Sequence, residues 1–126
     1  MKESLSRHEW ILMEALWHNS PMFLSQIMDA TASVVDWNRS SYLTYLKRMT
    51  DKKLIGFDTI SGNRSYYPLA AREDCIEGES NALLSKMTAD STRLLLASMI
   101  QKSGLSEKDR DELQELIIRL GGQDKE

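Results

Sequence analysis

A short stretch near the middle of the chain carries hydroxyl groups and a cation at the spacing of one helix face. Ser40, Ser41 and Thr44 supply short hydroxyls that can donate hydrogen bonds to phosphate oxygens or to base edges. Leu43 offers an apolar contact for a thymine methyl group, and Lys47 is long enough to reach a phosphate or a guanine edge. Because bulky acidic side chains would be repelled by phosphates, a face of this composition indicates contact with a nucleic acid.

Three further residues complete this candidate surface. Asn38 precedes the helix as an N-cap, and Arg39 lies at the helix start, where a DNA backbone often passes. Arg64 lies at the tip of a predicted hairpin, where it can enter a minor groove or pair with a phosphate. Asp51 projects from the same face, but we expect it to lie clear of the DNA at the far end of the helix. The residues predicted to bind DNA are Asn38, Arg39, Ser40, Ser41, Leu43, Thr44, Lys47 and Arg64.

Each of these residues has a plainer interpretation when it is taken alone. Serines after an asparagine cap are common at any helix N-terminus, and Lys47 is then an ordinary solvated cation. The charge distribution gives modest support for a polyanion site. The chain has 16 Lys and Arg against 19 Asp and Glu, a net charge of −3, yet residues 39–64 hold six cations and two acids. The DNA interpretation therefore depends on the elements that surround the helix.

The hydrophobic pattern of the first part of the chain predicts three helices followed by a β-hairpin. Ser6 and Glu9 form a capping box before the first helix, and Gly62-Asn63 supplies the turn of the hairpin. This order is the layout of a winged helix-turn-helix. The predicted elements are helices over approximately residues 7–18, 24–31 and 39–53 and strands over residues 54–60 and 65–70.

Large apolar side chains at helical spacing are expected to form the core of this first domain. A small domain needs large apolar areas, and aromatic residues supply them. The residues expected to face inward are Tyr42, Tyr45, Leu46 and Met49 of the third helix, together with Trp10, Trp17 and Trp37.

Leucine-rich helices follow after residue 72. We expect one helix over residues 81–102, a break at residues 103–106 and a last helix capped by Ser106. About 50 residues seldom bury this much leucine alone, so the region packs on the first domain or meets another chain, and we favour a dimer interface. The residues predicted to form the dimer interface are Leu83, Leu84, Met87, Leu95, Met99, Leu113, Leu116, Ile117 and Leu120.

Composition and spacing exclude several other classes of protein. No apolar run approaches the roughly 20 residues of a membrane span, and the first ten residues lack the apolar segment of a secretory signal. The single cysteine, Cys75, fits a reducing compartment, so we expect a cytoplasmic location. With His8 and His18 it matches no compact metal site, and nothing resembles a nucleophile elbow or an activated triad. We therefore expect no catalytic residue, no metal and no cofactor.

Four segments between Leu5 and Leu120 carry further markers. They are LSRHEWILMEALW, DWNRSSYLTYLKRMTDKKLI, GNRSYYPLAAREDC and GLSEKDRDELQELI. Together and in this order they resemble the penicillinase-repressor family of winged-helix transcriptional repressors. The resemblance implies a mainly α fold with a small β-hairpin wing, divided into a winged-helix DNA-binding domain over residues 1–71 and a helical dimerisation domain over residues 72–126. It also implies a homodimer whose third helix and wing recognise an inverted-repeat operator in double-stranded DNA.

The chain departs from this family at positions that bear on its control. Antibiotic-responsive members are cut at an Asn-Phe bond, where this chain aligns Ser98-Met99, and the C-terminal cysteine motif of copper-responsive members is missing. Lys53 stands where a glycine commonly ends the recognition helix, and Phe23 stands where a small capping residue is usual. Neither β-lactam nor copper induction is therefore implied, and an inducer or a protease of unknown identity is expected instead. No membrane partner is expected.

Two other functions stay open on the sequence alone. A winged helix that has lost DNA binding and holds a protein partner through its helical tail is compatible with the modest basic segment. A small-molecule-sensing regulator would have a pocket between the domains, lined by Met, Trp and Leu side chains, although such residues are more simply explained as core. A chain that does not bind DNA and co-purifies with a protein partner would favour the interaction module. An increase in melting temperature on ligand addition would favour the small-molecule-sensing regulator.

Overall fold

The computed structural model describes residues 4–123, apart from the side chains of Ile117 and of residues 120–123. The chain divides after Ala82 into two compact units, here called the first and the second unit. The sequence prediction placed the domain boundary after residue 71, at the start of the helix that contains Ala82. In chain order the elements are α1 (Arg7–His18), β1 (Met22–Phe23), α2 (Leu24–Thr31), α3 (Arg39–Asp51), β2 (Ile55–Ile60), β3 (Asn63–Pro68), α4 (Arg72–Lys86), α5 (Ala89–Lys102) and α6 (Glu107–Gln123).

The core of the first unit forms where one face of each of its first three helices meets the sheet. Leu12 and Leu16 lie one helical turn apart on α1, so both point to the same side, and neither has exposed surface. The mainly α fold with a small sheet, and the winged-helix order of its elements, are confirmed. The core residues are Leu12, Met13, Leu16, Met22, Ile27, Tyr42, Leu46, Met49, Ile55 and Tyr66.

The predicted hairpin is present as β2 and β3, with Phe57 opposite Tyr66 and Thr59 opposite Arg64. The predicted turn Gly62-Asn63 is wrong by one residue: the turn is Ser61-Gly62, at φ +52° and +83°, because Asn63 pairs with Ile60 and begins β3. The second strand is therefore Asn63–Pro68 and not residues 65–70. A third strand, β1, pairs antiparallel with the other side of β3 and gives the strand order β1-β3-β2. This strand was not predicted, because its two residues are too few to show an alternating pattern.

Local capping signals determine where α1 and α3 begin, as predicted. Ser6 Oγ accepts a hydrogen bond from the backbone N–H of Glu9, while a Glu9 carboxylate oxygen accepts one from the N–H of Ser6 at 2.9 Å. This is a complete capping box. The Asn38 side-chain oxygen accepts a hydrogen bond from the N–H of Ser41 at 2.8 Å, which satisfies one free amide of the first turn of α3.

The start of α2 lacks such a cap, because Phe23 stands at the N-cap position and carries no acceptor. Gln26 compensates in part: its side-chain oxygen accepts a hydrogen bond from the backbone N–H of Phe23 at 2.8 Å. The helix still begins at Leu24, as predicted. Packing of Ile27 into the core therefore decides this boundary more than capping does.

Lys53 ends α3 in the way that a glycine usually does. It lies at φ +66°, in the left-handed region. The N–H of Lys53 donates to the carbonyl of Thr50, and the N–H of Leu54 donates to the carbonyl of Met49, each at 3.0 Å. These two bonds form a Schellman motif. The departure from the family's glycine therefore leaves the turn into β2 intact.

The three tryptophans are half-buried, so the prediction that they belong to the core was too strong. An indole N–H needs a hydrogen-bond partner, which draws the ring to the edge of the core. Trp10 donates its N–H to a Glu79 carboxylate oxygen at 2.7 Å, and Trp17 donates to the carbonyl of Ala70 at 2.9 Å. Trp37 packs against the core and contacts other aromatic rings instead.

The continuous helix predicted over residues 81–102 is wrong. The chain forms α4, which begins at Arg72, and then breaks before α5. Thr88 causes this break by capping α5, because its hydroxyl accepts a hydrogen bond from the N–H of Ser91 at 3.2 Å. A single cap residue inside a leucine-rich segment thus divides the segment into two helices, although its hydrophobic periodicity predicts one.

The break predicted between the last two helices is confirmed. Gly104 lies there at φ +74°, a conformation that favours glycine. Ser106 caps α6, since its hydroxyl accepts a hydrogen bond from the N–H of Asp109 at 3.1 Å. Glu107 and Asp109 lie in the first turn, where the helix dipole favours acids.

Candidate nucleic-acid interface

The polar face of α3 points away from the core. Tyr42, Leu46 and Met49 are buried on one side of the helix. Ser41 is half-buried, and the other predicted DNA-binding residues between positions 38 and 47 are exposed to solvent. The exposed ones are Asn38, Arg39, Ser40, Leu43, Thr44 and Lys47. Helical spacing alone had predicted this shared surface, while its contact with DNA stays a prediction.

An aromatic cluster holds α3 against its neighbours. The Trp37 ring lies edge-on to Tyr42 and Tyr45, with ring centroids 5.2 and 4.9 Å apart. His8 of α1 stacks on Tyr45 at 4.1 Å between ring centroids, so Tyr45 is half-buried at the edge of the core and not inside it. The hydroxyls of Tyr42 and Thr31 of α2 share a hydrogen bond. Because residues of both α1 and α2 pack against the inner side of α3, its polar face has a fixed direction.

Lys47 forms an ion pair within the exposed face. Its Nζ lies 3.1 Å from a carboxylate oxygen of Asp51, one turn further along α3. Both side chains are mostly exposed, at 74% and 66%, so water and salt screen the pair. Asp51, which we expect to lie clear of the DNA at the far end of α3, thus pairs with one of the predicted DNA-binding residues.

The start of α3 and the tip of the hairpin line one groove. Arg39 and Leu43 of α3 and Arg64 of β3 contribute to its walls, and the volume of the groove is about 400 Å³. Phe23 and Ser25, at the start of α2, line the same groove. Sequence reasoning did not select these last two residues, because no local pattern marks them and only the folded chain brings them here. Cations from two separate elements thus border a single depression.

Arg64 lies against an aromatic ring at this groove. Its guanidinium carbon is 4.1 Å from the centroid of the Phe57 ring, within the range of a cation–π contact. Phe57 is half-buried and packs against the core, so its ring has a fixed position. No local sequence pattern indicates this contact, since it depends on the register between β2 and β3.

One cation of residues 39–64 pairs with a buried carboxylate and so stabilises the fold. The Nζ of Lys52 lies 2.6 Å from a carboxylate oxygen of Glu9, and only 4% of the Glu9 side chain is exposed. Burial by itself would raise the pKa of Glu9, but the Lys52 ammonium and hydrogen bonds from Ser6 hold this pKa below its ordinary value. Among the described residues, the cations of segment 39–64 that form no ion pair are Arg39, Arg48, Lys53 and Arg64.

The second unit leaves much of its apolar surface uncovered. None of the residues of α5, all of which the structure describes, is buried. Leu94 and Ile118, which the predicted dimer set omits, are 72% and 75% exposed. The side chains of Ile117 and Leu120 lie outside the described part. The rest of the predicted dimer set is either exposed, namely Leu84, Met99 and Leu116, or half-buried, namely Leu83, Met87, Leu95 and Leu113.

The histidines and the cysteine do not come together. Within residues 4–123, no group of three or more His, Cys, Asp or Glu could hold a metal ion. Cys75 is 5% exposed, and burial together with the charges of Asp74 and Glu79 raises the pKa of its thiol. No helix in the described part of the chain combines the length and the apolar character that crossing a membrane requires.

Several solved structures match the chain at low identity. The transcriptional regulator SlyA is 13% identical, with a TM-score of 0.48, and the match covers 95% of this chain and 76% of that one. A MarR/EmrR family transcriptional regulator from Acinetobacter sp. ADP1 is 15% identical, with a TM-score of 0.46 and coverage of 94% and 75%. The MarR family transcriptional regulator SPO1453 from Silicibacter pomeroyi DSS-3 is 17% identical, with a TM-score of 0.44 and coverage of 90% and 76%. No curated protein matches the chain.

A family model also matches most of the chain. The model described as penicillinase repressor matches residues 5–119, which include the winged helix and most of the second unit. The resemblance first seen in four segments is thereby confirmed over most of the chain. Members of this family are regulators of transcription and not enzymes. The chain belongs to the penicillinase repressor family and is a winged-helix transcriptional regulator.

Proposed function

We propose that the chain is a homodimeric repressor that binds an inverted-repeat operator in double-stranded DNA. In this proposal α3 enters the major groove and the β2–β3 hairpin lies on the adjacent backbone or minor groove. The observation that carries it is the groove shared by Arg39, Leu43 and Arg64, because two separate elements present cations on one side of the first unit. A DNA duplex offers phosphates at spacings that such a pair of elements can contact together.

The exposed residues divide by the contact that each one suits. Ser40, Thr44 and Lys47 project from the middle of the polar face of α3, so they suit base edges in the major groove. Arg39 and Arg64 border the groove beside this face and suit phosphates. The side-chain oxygen of Asn38 is already used as a helix cap, which leaves its amide N–H groups as the donors that could reach DNA.

A second copy of the chain would cover the apolar surface of the second unit. Exposed side chains such as Leu94, Met99 and Ile118 are unfavourable in water, and an interface with another protein would cover them. A two-fold symmetric dimer presents two copies of α3 in opposite directions, which fits an inverted repeat. Because chromosomal DNA is the proposed ligand, we place the protein in the cytoplasm.

The test is a gel shift with a labelled duplex from the region upstream of the chain's own gene, at several salt concentrations. We expect affinity to fall steeply as salt rises, because binding releases counterions from the DNA. Lys47→Glu should abolish the shift, since it removes a donor and adds repulsion at the centre of the polar face. A circular dichroism spectrum identical to that of the unchanged chain would show that the variant is folded.

Lys86→Glu serves as the matched control, because it makes the same charge change at an exposed residue of the second unit that is not in the predicted DNA-binding set. We expect this variant to bind as the unchanged chain does. Absence of any shift at low salt, or equal loss in both variants, would contradict the proposal. Absence of a shift together with a tightly co-purified protein would favour the interaction module instead.

A cavity gives a second candidate function some support. A pocket of about 640 Å³ lies in the first unit between α1, the end of α2 and the start of α4. Trp10, Val34 and the Glu14–Arg72 ion pair border it, a mixture of apolar and charged groups that suits a small organic ligand. If the chain senses such a ligand, its melting temperature should rise on ligand addition and its DNA affinity should change.

A further inference from the structure

The contact between Arg64 and Phe57 is set by the register of the hairpin. Phe57 lies opposite Tyr66, and Arg64 lies two residues before Tyr66 on the same strand. Side chains two residues apart on a strand point to the same face, so Arg64 and Phe57 are diagonal neighbours across β2 and β3. A long side chain can bridge this diagonal, and the guanidinium carbon lies 4.1 Å from the ring centroid.

The ring that receives Arg64 is itself held in place. Phe57 packs against the core, and its centroid is 5.9 Å from that of Tyr66, whose side chain is 3% exposed. Arg64, by contrast, is exposed and forms no ion pair with any residue in the described part of the chain. The aromatic face is therefore the contact that restrains an otherwise free guanidinium.

Stacking of this kind leaves the guanidinium able to bind. A cation–π contact uses the flat face of the group, whereas its five N–H donors lie in the plane and point outward from its edge. These donors stay available to a phosphate in the groove that Arg64 shares with Arg39 and Leu43. A restrained arginine loses less side-chain freedom on binding than a free one, which favours affinity.

We propose that Phe57 is a positioning residue for DNA binding, which holds the guanidinium of Arg64 at the groove so that it meets a backbone phosphate. The proposal rests on the DNA-binding function proposed above. It assigns Phe57 no contact with DNA. Its effect on affinity must therefore pass through Arg64 and must disappear when Arg64 is removed.

A double-mutant cycle on DNA affinity tests this dependence. With the duplex from upstream of the gene, we expect Phe57→Leu to weaken binding about threefold to tenfold, because leucine has no aromatic face. Phe57→Tyr should bind within about twofold of the unchanged chain, since tyrosine also accepts a cation on its ring. Phe57→Leu made in an Arg64→Ala background should weaken binding no further.

A second measurement reports the stacking itself. In the unchanged chain the side-chain N–H signals of Arg64 should be shifted upfield by the ring current of Phe57 in a proton–nitrogen NMR spectrum. We expect Phe57→Leu to remove this shift and Phe57→Tyr to keep it. If Phe57→Leu loses its cooperative thermal transition, Phe57→Met takes its place, because methionine fills a similar volume without an aromatic face.

Tyr67→Leu is the control for general loosening of the hairpin. Tyr67 lies opposite Gly56, one residue along from Tyr66 and hence on the other face of β3. It is also half-buried, so its loss should disturb packing to a similar degree without changing DNA affinity. Weakening by Phe57→Leu that persists in the Arg64→Ala background, or that Tyr67→Leu reproduces, would overturn the proposal while leaving DNA binding intact. Absence of DNA binding by the unchanged chain would overturn both.

Discussion

At the level of single residues, Asp51 is the acid that stands on the polar face of α3, one turn from Lys47. In the proposed complex, its charge would repel phosphates, and it would compete with DNA for the Lys47 ammonium. We expect Asp51→Asn to tighten DNA binding roughly threefold to tenfold, in line with about 1 kcal/mol for an exposed ion pair. Fluorescence anisotropy with the upstream duplex measures this change. Asp111→Asn in the second unit makes the same charge change as a control, and an equal effect of both variants would argue against a local role for Asp51.

The buried carboxylate of Glu9 makes the stability of the fold depend on pH. Its pKa in the folded chain lies below the ordinary value of 4.5, because Lys52 and Ser6 stabilise the charged form. The resulting stabilisation is complete above about pH 4.5 and is lost as the pH falls through the lowered pKa. In urea unfolding between pH 3 and pH 8, we expect Glu9→Gln to lower the free energy of unfolding at pH 7 by roughly 1–3 kcal/mol.

In the Glu9→Gln variant, the free energy of unfolding should fall less steeply as the pH is lowered. Glutamine cannot titrate, so the difference in unfolding free energy between Glu9→Gln and the unchanged chain should shrink as the pH is lowered. A constant difference across the whole range would mean that Glu9 contributes through packing and not through its charge. Glu14→Gln is the control, because Glu14 is about half exposed and pairs with Arg72 at the surface.

At the level of secondary structure elements, the turn after α3 gives a direct test of backbone strain. Lys53 holds the left-handed position of a Schellman motif, which costs a non-glycine residue roughly 1–2 kcal/mol. A glycine at this position would avoid that strain, but part of the gain would be offset because glycine loses more conformational entropy on folding. We therefore expect Lys53→Gly to raise the free energy of unfolding by about 0.5–1 kcal/mol, seen as a melting temperature a few degrees higher. Lys52→Gly, at φ −78°, should lower it; a fall in both variants would contradict this account of the turn.

The elements that could be predicted from the sequence are those with local signals. The capping box at Ser6 and the cap at Asn38 mark helix starts with two or three neighbouring residues, and periodicity then gives the buried face of α3. β1 could not be predicted, because its pairing with β3 joins distant parts of the chain. The break before α5 was missed because a single threonine, Thr88, opposes the leucine pattern on both sides of it.

The candidate site also has one part that local sequence patterns predict and another that only the folded chain determines. The exposed face of α3 follows from helical spacing alone, so the chain itself indicates which polar side chains share it. The partners of those side chains depend on the folded chain. Ser25 reaches the groove only through the packing of α2 against α3, and Phe57 meets Arg64 only through strand register. The ion pair between Lys47 and Asp51 has helical spacing, but that spacing does not show whether two exposed side chains meet.

At the level of the whole molecule, we expect the uncovered apolar side chains of α5 and α6 to pair two copies of the chain, and tight binding to the proposed inverted repeat to depend on this pairing. We expect sedimentation to give a mass twice that of the 14.4 kDa chain. Met99→Glu should produce monomers, because it places a charge in the proposed interface, and should weaken DNA binding by tenfold or more, on the order of the avidity lost with one half-site. Ile76→Glu is the control, since Ile76 is similarly exposed, at 53%, but lies in the first unit. A monomeric unchanged chain that binds DNA as tightly would contradict this expectation.

The central claim, that the exposed face of α3 lies in a DNA groove twice per dimer, can be tested by cleavage from a tethered reagent. Thr44→Cys places a reactive thiol at the middle of that face, whereas the native Cys75 is buried and its thiol has a raised pKa. An iron chelate attached at position 44 should cut the upstream duplex at two clusters of positions about 10 base pairs apart, one helical turn. Cleavage no stronger than that from the same reagent at Lys86→Cys, or spread evenly along the duplex, would contradict the claim.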